Sequence, residues 1–355
     1  MMKWEENVRK VEPYVPGEQP KTSNIIKLNT NECPYPPAPG VAKAVAAFKS
    51  DDLRLYPDPA ASALTDCLSK YYHVPADQIF VGVGSDDVLS MSFLTFFNSK
   101  EPVLFPDITY SFYDVWAELY RIPYKQIPLN ADFTMNKEDY MVPNGGVIFP
   151  NPNAPTGVLE NLENVEAIVK ANPDVIVIVD EAYIDFSGEH ASALPLIEKY
   201  ENLLVVQTFS KSRAMAGLRV GFAFGSKKLI GYLNDAKFSF NSYTMNLPTL
   251  TLGVEAVKDI TYFKETVAKI VKTRERVKTE LKKLGFSFTD SRSNFIFASH
   301  ERVPAKELFE ALKQAGIFVR YFPKPRIDNY LRISIGTDAE MDTLLAELKK
   351  YINQK

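Results

Sequence analysis

Between about residue 75 and residue 225, short apolar runs alternate with longer mixed segments. The runs at 78–83, 102–105, 146–149, 175–179, 203–207 and 220–224 predict strands. Most are continuous Val, Ile, Leu and Phe rather than alternating, the pattern of strands buried on both faces of a helix-covered parallel sheet. The reading is an α/β domain with a mostly parallel sheet flanked by helices. After about residue 245 the pattern changes. The stretch 254–283 is charged and helical in period, with Lys272, Arg274, Arg276 and Lys278 expected to face water. Strand-like 294–298, 317–321 and 331–335 surround a helix-like 305–315. Thr337 and Glu340 form a capping box ahead of a last helix whose Met341, Leu344, Leu345, Leu348 and Ile352 share one face. These elements predict a smaller α+β C-terminal domain. Ahead of the sheet, Pro13, Pro16, Pro20 and Pro34 prevent a long helix and leave a docked arm. The expected division is an arm over 1–35, a large domain over 36–245 and a small domain over 246–355.

Charge and composition exclude several partners. Lys and Arg total 41 and Asp and Glu 44, so 41 − 44 = −3, and no basic excess points to nucleic acid. Aliphatic runs such as 175–179 are too short to span a bilayer. The first residues, Met1-Met2-Lys3-Trp4-Glu5-Glu6, lack the apolar core of a signal peptide. Cys33 and Cys67 are the only cysteines, which predicts a reducing, cytoplasmic setting. His73, His190 and His300 have no ligand spacing, so no metal site is expected.

The chemistry gathers at strand ends. Asp180 follows the run 175–179 directly and belongs in the crevice at the carboxyl end of the sheet. A strand-end Asp that caps the next turn is the plainer alternative. Gly82-Val83-Gly84-Ser85-Asp86-Asp87 ends a strand and opens a helix, whose first N–H groups form an anion site. Asp87 stands where a dinucleotide fingerprint needs glycine, so the Rossmann reading fails. Thr208, Ser210 and Arg219 offer further phosphate donors around Lys211. Tyr110, after another strand end, stacks on a ring or packs in the core; Tyr183 reaches the ligand or packs. An amine at Lys211, a carboxylate at Asp180 and a phosphate donor set are the requirements of pyridoxal phosphate: a Schiff-base lysine, a partner for the pyridinium nitrogen and an anion cradle.

At this point the chain resembles the fold-type-I pyridoxal-phosphate aminotransferases over nearly its full length, most closely the histidinol-phosphate aminotransferases. The matching strings include Leu28-Asn29-Thr30-Asn31-Glu32, Arg54-Leu55-Tyr56-Pro57, Gly84-Ser85-Asp86-Asp87, Asn151-Pro152-Asn153-Ala154-Pro155-Thr156-Gly157, Asp180-Glu181-Ala182-Tyr183, Thr208-Phe209-Ser210-Lys211 and Leu331-Arg332-Ile333-Ser334. The resemblance implies a homodimer in which Tyr56 reaches the cofactor phosphate of the neighbouring subunit. It also implies that Arg320 and Arg332 bind the substrate's anionic groups, with Tyr14 and Asn31 closing over them. It implies an amino donor and a 2-oxo acid as substrates, with histidinol phosphate and 2-oxoglutarate first. Threonine-phosphate decarboxylases and aromatic aminotransferases share most of these motifs and remain alternatives. The chain departs from the family at Ala154, where an asparagine usually contacts the cofactor's phenolic oxygen. Either Asn153 substitutes through a shifted turn, or Tyr183 holds that oxygen with help from water.

Overall fold

A computed structural model describes residues 3–20 and 24–355. The chain enters with a short strand β1 (Ile26–Lys27) and then builds β2 (Ile79–Gly82), β3 (Val103–Pro106), β4 (Tyr124–Ile127), β5 (Gly146–Pro150), β6 (Val177–Asp180), β7 (Leu203–Thr208) and β8 (Gly221–Phe224). Strands β2 to β8 form one sheet in the order β2-β8-β7-β6-β5-β3-β4. Every neighbouring pair is parallel except the two that include β8. Seven strands of this sheet therefore share one mouth, where six of them end and the antiparallel β8 begins. All six strands expected in this region are present. The exception to sequence reading is β4, an edge strand carrying exposed Lys125 and Gln126, which leaves no continuous apolar run to recognise.

The helices are α1 (Pro39–Ala47), α2 (Ser62–Tyr72), α3 (Ser85–Phe96), α4 (Tyr113–Tyr120), α5 (Leu162–Ala171), α6 (Lys227–Phe240), α7 (Leu247–Lys258), α8 (Ile260–Lys283), α9 (Ala305–Gln314) and α10 (Asp338–Asn353). Two apolar layers cover the sheet. One joins α1, α2, α5 and α7 to Val81, Val147, Phe149, Val177, Val179 and Val205. The other joins α3, α4 and α6 to Ile148, Ile178, Leu204 and Val206. The alternate residues of β5, β6 and β7 thus face opposite layers, which is why these strands are apolar throughout.

The smaller unit is an antiparallel sheet of β9 (Phe286–Phe288), β10 (Phe295–His300), β12 (Arg320–Tyr321) and β13 (Leu331–Ser334), ordered β12-β13-β10-β9. β11 (Ile317–Phe318) pairs instead with β1, so the chain near Leu28 is fastened to this unit. Thr337 and Glu340 close the expected capping box at the start of α10.

Three details differ from the sequence reading. The helical stretch after 254 is two helices that part at Asp259, whose side chain accepts the Tyr262 N–H and caps α8. Helix α7 packs on α1 and α2 against the large sheet, so the packing changes hands at 259 rather than at 245. Arg274 does not face water: it is 2% exposed and donates to the carbonyls of Phe186 and Ser293, because α8 lies across the junction of the two units.

Candidate active site

The mouth of the large sheet holds a cleft of about 690 Å³ lined by Ser85, Asp86, Tyr110, Asp180, Tyr183, Ser210, Lys211 and Arg219, with Thr30, Glu32 and Ala154. Each ends or follows a strand or, for Arg219, precedes antiparallel β8. A second cleft of about 660 Å³ shares Lys211, Tyr110, Tyr183 and Ala154 and extends to Tyr14, Asn31, Arg320, Phe322 and Arg332. The structure thus brings most of the sequence-derived site residues around Lys211.

The anion cradle is built by close backbone approach. Gly84 has φ +84°, and a Cβ there would lie 2.4 Å from the Arg219 guanidinium. A Cβ on Gly221 would lie 2.2 Å from the Ser85 nitrogen, so β8 can abut the turn only as glycine. The Asp87 carboxylate accepts the Val83 N–H at 2.8 Å and closes the turn. Arg219 Nη1 donates to Ser210 Oγ at 3.3 Å, and Nη2 meets Asp86 Oδ2 at 3.3 Å. The start of α3, the Ser210 hydroxyl and the guanidinium together fit a phosphate. Thr208 lies behind this set: its hydroxyl is 3.0 Å from both Ser210 Oγ and the Val220 carbonyl. In this arrangement it supports Ser210 from beneath.

Asp180 is 4% exposed. Its Oδ2 accepts the Tyr113 hydroxyl at 3.0 Å and its Oδ1 the Ala182 N–H at 3.2 Å. The carboxylate thus caps the next turn and also lines the cleft. Burial pushes its carboxyl up to about 6, opposed by these two donors. A cationic ring nitrogen is the partner such a buried carboxylate fits. Tyr110 donates to Asp86 at 2.7 Å, which fixes its ring beside the cleft. Lys211 Nζ reaches the Thr30 carbonyl at 3.4 Å and lies 5.5 Å from the centre of the Tyr183 ring. Asn31 Nδ2 donates to the Tyr183 hydroxyl at 3.0 Å, leaving that O–H free to donate into the cleft.

One placement corrects the sequence reading and a second is compatible with it. Asn153 is turned away from the cleft: its amide donates to the Ile108 carbonyl at 3.0 Å and to Thr156 Oγ1 at 2.9 Å, and the Ala154 methyl lines the cleft instead. The Asn153 amide is thus engaged outside the cleft and does not stand in for an asparagine at 154. Tyr56 lies outside its own chain's cleft, 83% exposed and stacked on Tyr243 at 4.6 Å. Sequence reasoning missed Tyr113, one helical turn beyond Tyr110, and Ser334, whose hydroxyl accepts the Asn31 N–H at 2.9 Å and donates to Asn31 Oδ1 at 3.0 Å.

On the far side, Arg332 Nη2 donates to the Asn29 carbonyl at 3.0 Å while its buried Nε has no partner, and burial lowers its pKa. Arg320 Nη2 donates to the Val15 carbonyl at 3.4 Å. Both guanidinium groups lie 5.5 Å from the centre of the Phe322 ring. Tyr14 stacks on Phe112 at 4.1 Å and closes the cleft from the arm.

A mostly parallel sheet with a lysine, a buried aspartate and an anion cradle at its mouth, beside a smaller antiparallel unit, defines a fold-type-I aminotransferase that uses pyridoxal phosphate. The chain belongs to the aminotransferase class I and II family, whose profile matches residues 23–348. It is 52% identical over 354 residues to the histidinol-phosphate aminotransferase of Lactococcus lactis subsp. cremoris (strain MG1363), covering 100% of this chain and 99% of that one. It is 51% identical over 347 residues to the histidinol-phosphate aminotransferase of Brachyspira hyodysenteriae (strain ATCC 49526 / WA1), covering 98% of each. Among solved structures, it matches histidinol-phosphate aminotransferase from Sinorhizobium meliloti in complex with pyridoxal-5'-phosphate with a TM-score of 0.84 at 25% identity, over 93% of this chain and 91% of that one. The enzyme of the same name from Clostridium acetobutylicum shares the fold, with a TM-score of 0.86 at 23% identity, over 93% and 100% of the two chains.

Proposed function

We propose that this chain moves the amino group of histidinol phosphate to 2-oxoglutarate, a step of histidine biosynthesis. The observation that carries the substrate assignment is the pair Arg320 and Arg332, which line the Lys211 cleft with carbonyl and aromatic neighbours. Such guanidinium groups suit substrates with anionic ends, and their fork geometry suits phosphate and carboxylate. The names of the half-identical relatives support the same choice.

When bound, pyridoxal phosphate supplies a carbonyl for the amine and a ring that withdraws electrons from the substrate carbon. Ser210, Arg219 and the start of α3, with Gly84, Ser85 and Asp86, hold its phosphate. Asp180 would face the ring nitrogen as a carboxylate, and Tyr110 would lie against the ring. Tyr183 donates to the phenolic oxygen, taking the part that Ala154 cannot. Lys211 would be the covalent anchor, and its freed Nζ would act as general base toward the substrate carbon and as general acid toward the cofactor's carbon. Arg320 and Arg332 orient the substrate, while Tyr14 and Asn31 exclude water above it.

The working unit is a homodimer in which Tyr56 serves the neighbouring cleft. Its exposure, with exposed Leu53 and Leu55 beside it in the chain, supports a covering partner. Mixing Tyr56→Ala and Lys211→Ala protomers should restore activity in one of two hybrid sites; an inactive confirmed heterodimer speaks against the trans role. The two unpaired cysteines support a cytoplasmic setting. Product analysis with histidinol phosphate, threonine phosphate and phenylalanine tests the substrate. Formation of the 2-oxo product from histidinol phosphate is expected; carbon dioxide release from threonine phosphate, or preference for phenylalanine, replaces the assignment.

A further inference from the structure

Tyr113 is completely buried in the first turn of α4. Four aromatic rings surround it, with centroids at 6.2 Å for Phe93, 5.8 Å for Phe105, 5.9 Å for Tyr110 and 6.3 Å for Trp116. This packing leaves the ring little freedom, so the position of its hydroxyl is fixed by the core rather than by solvent. That hydroxyl meets Asp180 Oδ2 at 3.0 Å, across 67 residues of sequence. Burial and the neighbouring Asp180 charge push the phenol well above its usual range, which keeps it a donor. The opposite oxygen of Asp180 receives the Ala182 N–H, so the carboxylate is held at both ends.

Asp180 has a conflict to resolve. Burial favours its neutral form, whereas a protonated ring nitrogen needs a carboxylate opposite it. We infer that Tyr113 is a positioning residue for catalysis: its hydroxyl holds Asp180 in one rotamer and as a carboxylate, so that the shared proton stays on the cofactor's ring nitrogen. This rests on the proposed reading that Asp180 faces that nitrogen. A phenol that serves only core packing would contribute to stability and leave the location of the proton unchanged. The distinction is measurable because the ring nitrogen reports its own protonation.

The test compares the wild type, Tyr113→Phe and Asp180→Asn, each loaded with pyridoxal phosphate carrying ¹⁵N in the ring. Phenylalanine keeps the ring and its four aromatic contacts and deletes only the donor, so the variant retains the packing that folds this region. In Tyr113→Phe the ¹⁵N resonance should move from the protonated toward the unprotonated position. Its kcat should fall by about tenfold, the effect of one hydrogen bond to a buried charge, with KM for the amino donor little changed. A Tyr113→Phe resonance at the wild-type position, with kcat within about twofold of wild type, overturns the inference. If Asp180→Asn also leaves the resonance unmoved, the underlying assignment of Asp180 fails; if only Tyr113→Phe leaves it unmoved, the role of Tyr113 alone fails.

Discussion

On the sheet side of the cleft, the carboxylates that line it are matched within the chain. Asp180 has Tyr113 and the Ala182 N–H, and Asp86 has Tyr110 and Arg219. On the opposite side, Arg320 and Arg332 meet carbonyl oxygens and the face of Phe322. The first wall is set before any ligand arrives, as the grip on a resident cofactor requires. The second holds cationic charge in a partly buried place and leaves its strongest partners to come from outside. An unmatched buried charge costs stability, so its persistence here is best explained by a ligand that completes it. The difference between the walls therefore separates what the enzyme keeps from what it exchanges.

The largest expected effect tests the matched wall at its centre. Borohydride reduction of the loaded enzyme followed by peptide mapping should place the pyridoxyl label on Lys211, and Lys211→Ala should abolish turnover. A label on another lysine breaks the assignment. Next in size, Asp180→Ala should still admit the cofactor but slow turnover by an amount equivalent to roughly 3–5 kcal/mol, since one member of a buried charged pair is removed. Near-normal turnover would mean that this wall does not act on the ring.

A smaller effect concerns stability without cofactor. Burial raises the Asp180 carboxyl to about 6, above its unfolded value. A carboxyl shifted in this direction stabilises the fold most at low pH, and the contribution is lost as pH rises from about 4 through about 6. Asp180→Asn removes the titration. Between about pH 4 and about pH 7 the wild type should lose on the order of 2 kcal/mol relative to that variant in urea unfolding. A stability difference that does not change with pH would contradict the account of Asp180 as a carboxyl strained by burial.

The parts of this comparison were unequally legible in the sequence. Strands β5, β6 and β7 are buried on both faces, so their apolar runs mark them, and the residues that follow their ends are the ones that line the cleft. Asp180 and Lys211 were readable for that reason, and Gly84 and Arg219 from the glycine-rich turn after β2 and from the short segment leading into β8. The link from Tyr113 to Asp180 was not, because it depends on how α4 docks on the sheet. The orientation of Asn153 and Ala154 depends on the phase of a turn, which residue types alone leave open; likewise the hydroxyl of Thr208 belongs to a strand-end motif whether it faces the cleft or Val220. The break at Asp259 was hidden by helical periodicity on both sides of it, and the buried Arg274 by the usual preference of arginine for water.

The most direct test of the contrast between the walls is selectivity for the phosphate. Specificity constants for histidinol phosphate and for histidinol should be measured in the wild type and in Arg320→Ala. The wild type should strongly prefer the phosphorylated substrate, and Arg320→Ala should lose roughly 2–5 kcal/mol of that preference, with histidinol itself little affected. Equal use of the two substrates by the wild type, or a preference untouched in Arg320→Ala, would contradict the claim that the unmatched wall reads the anion of the incoming substrate.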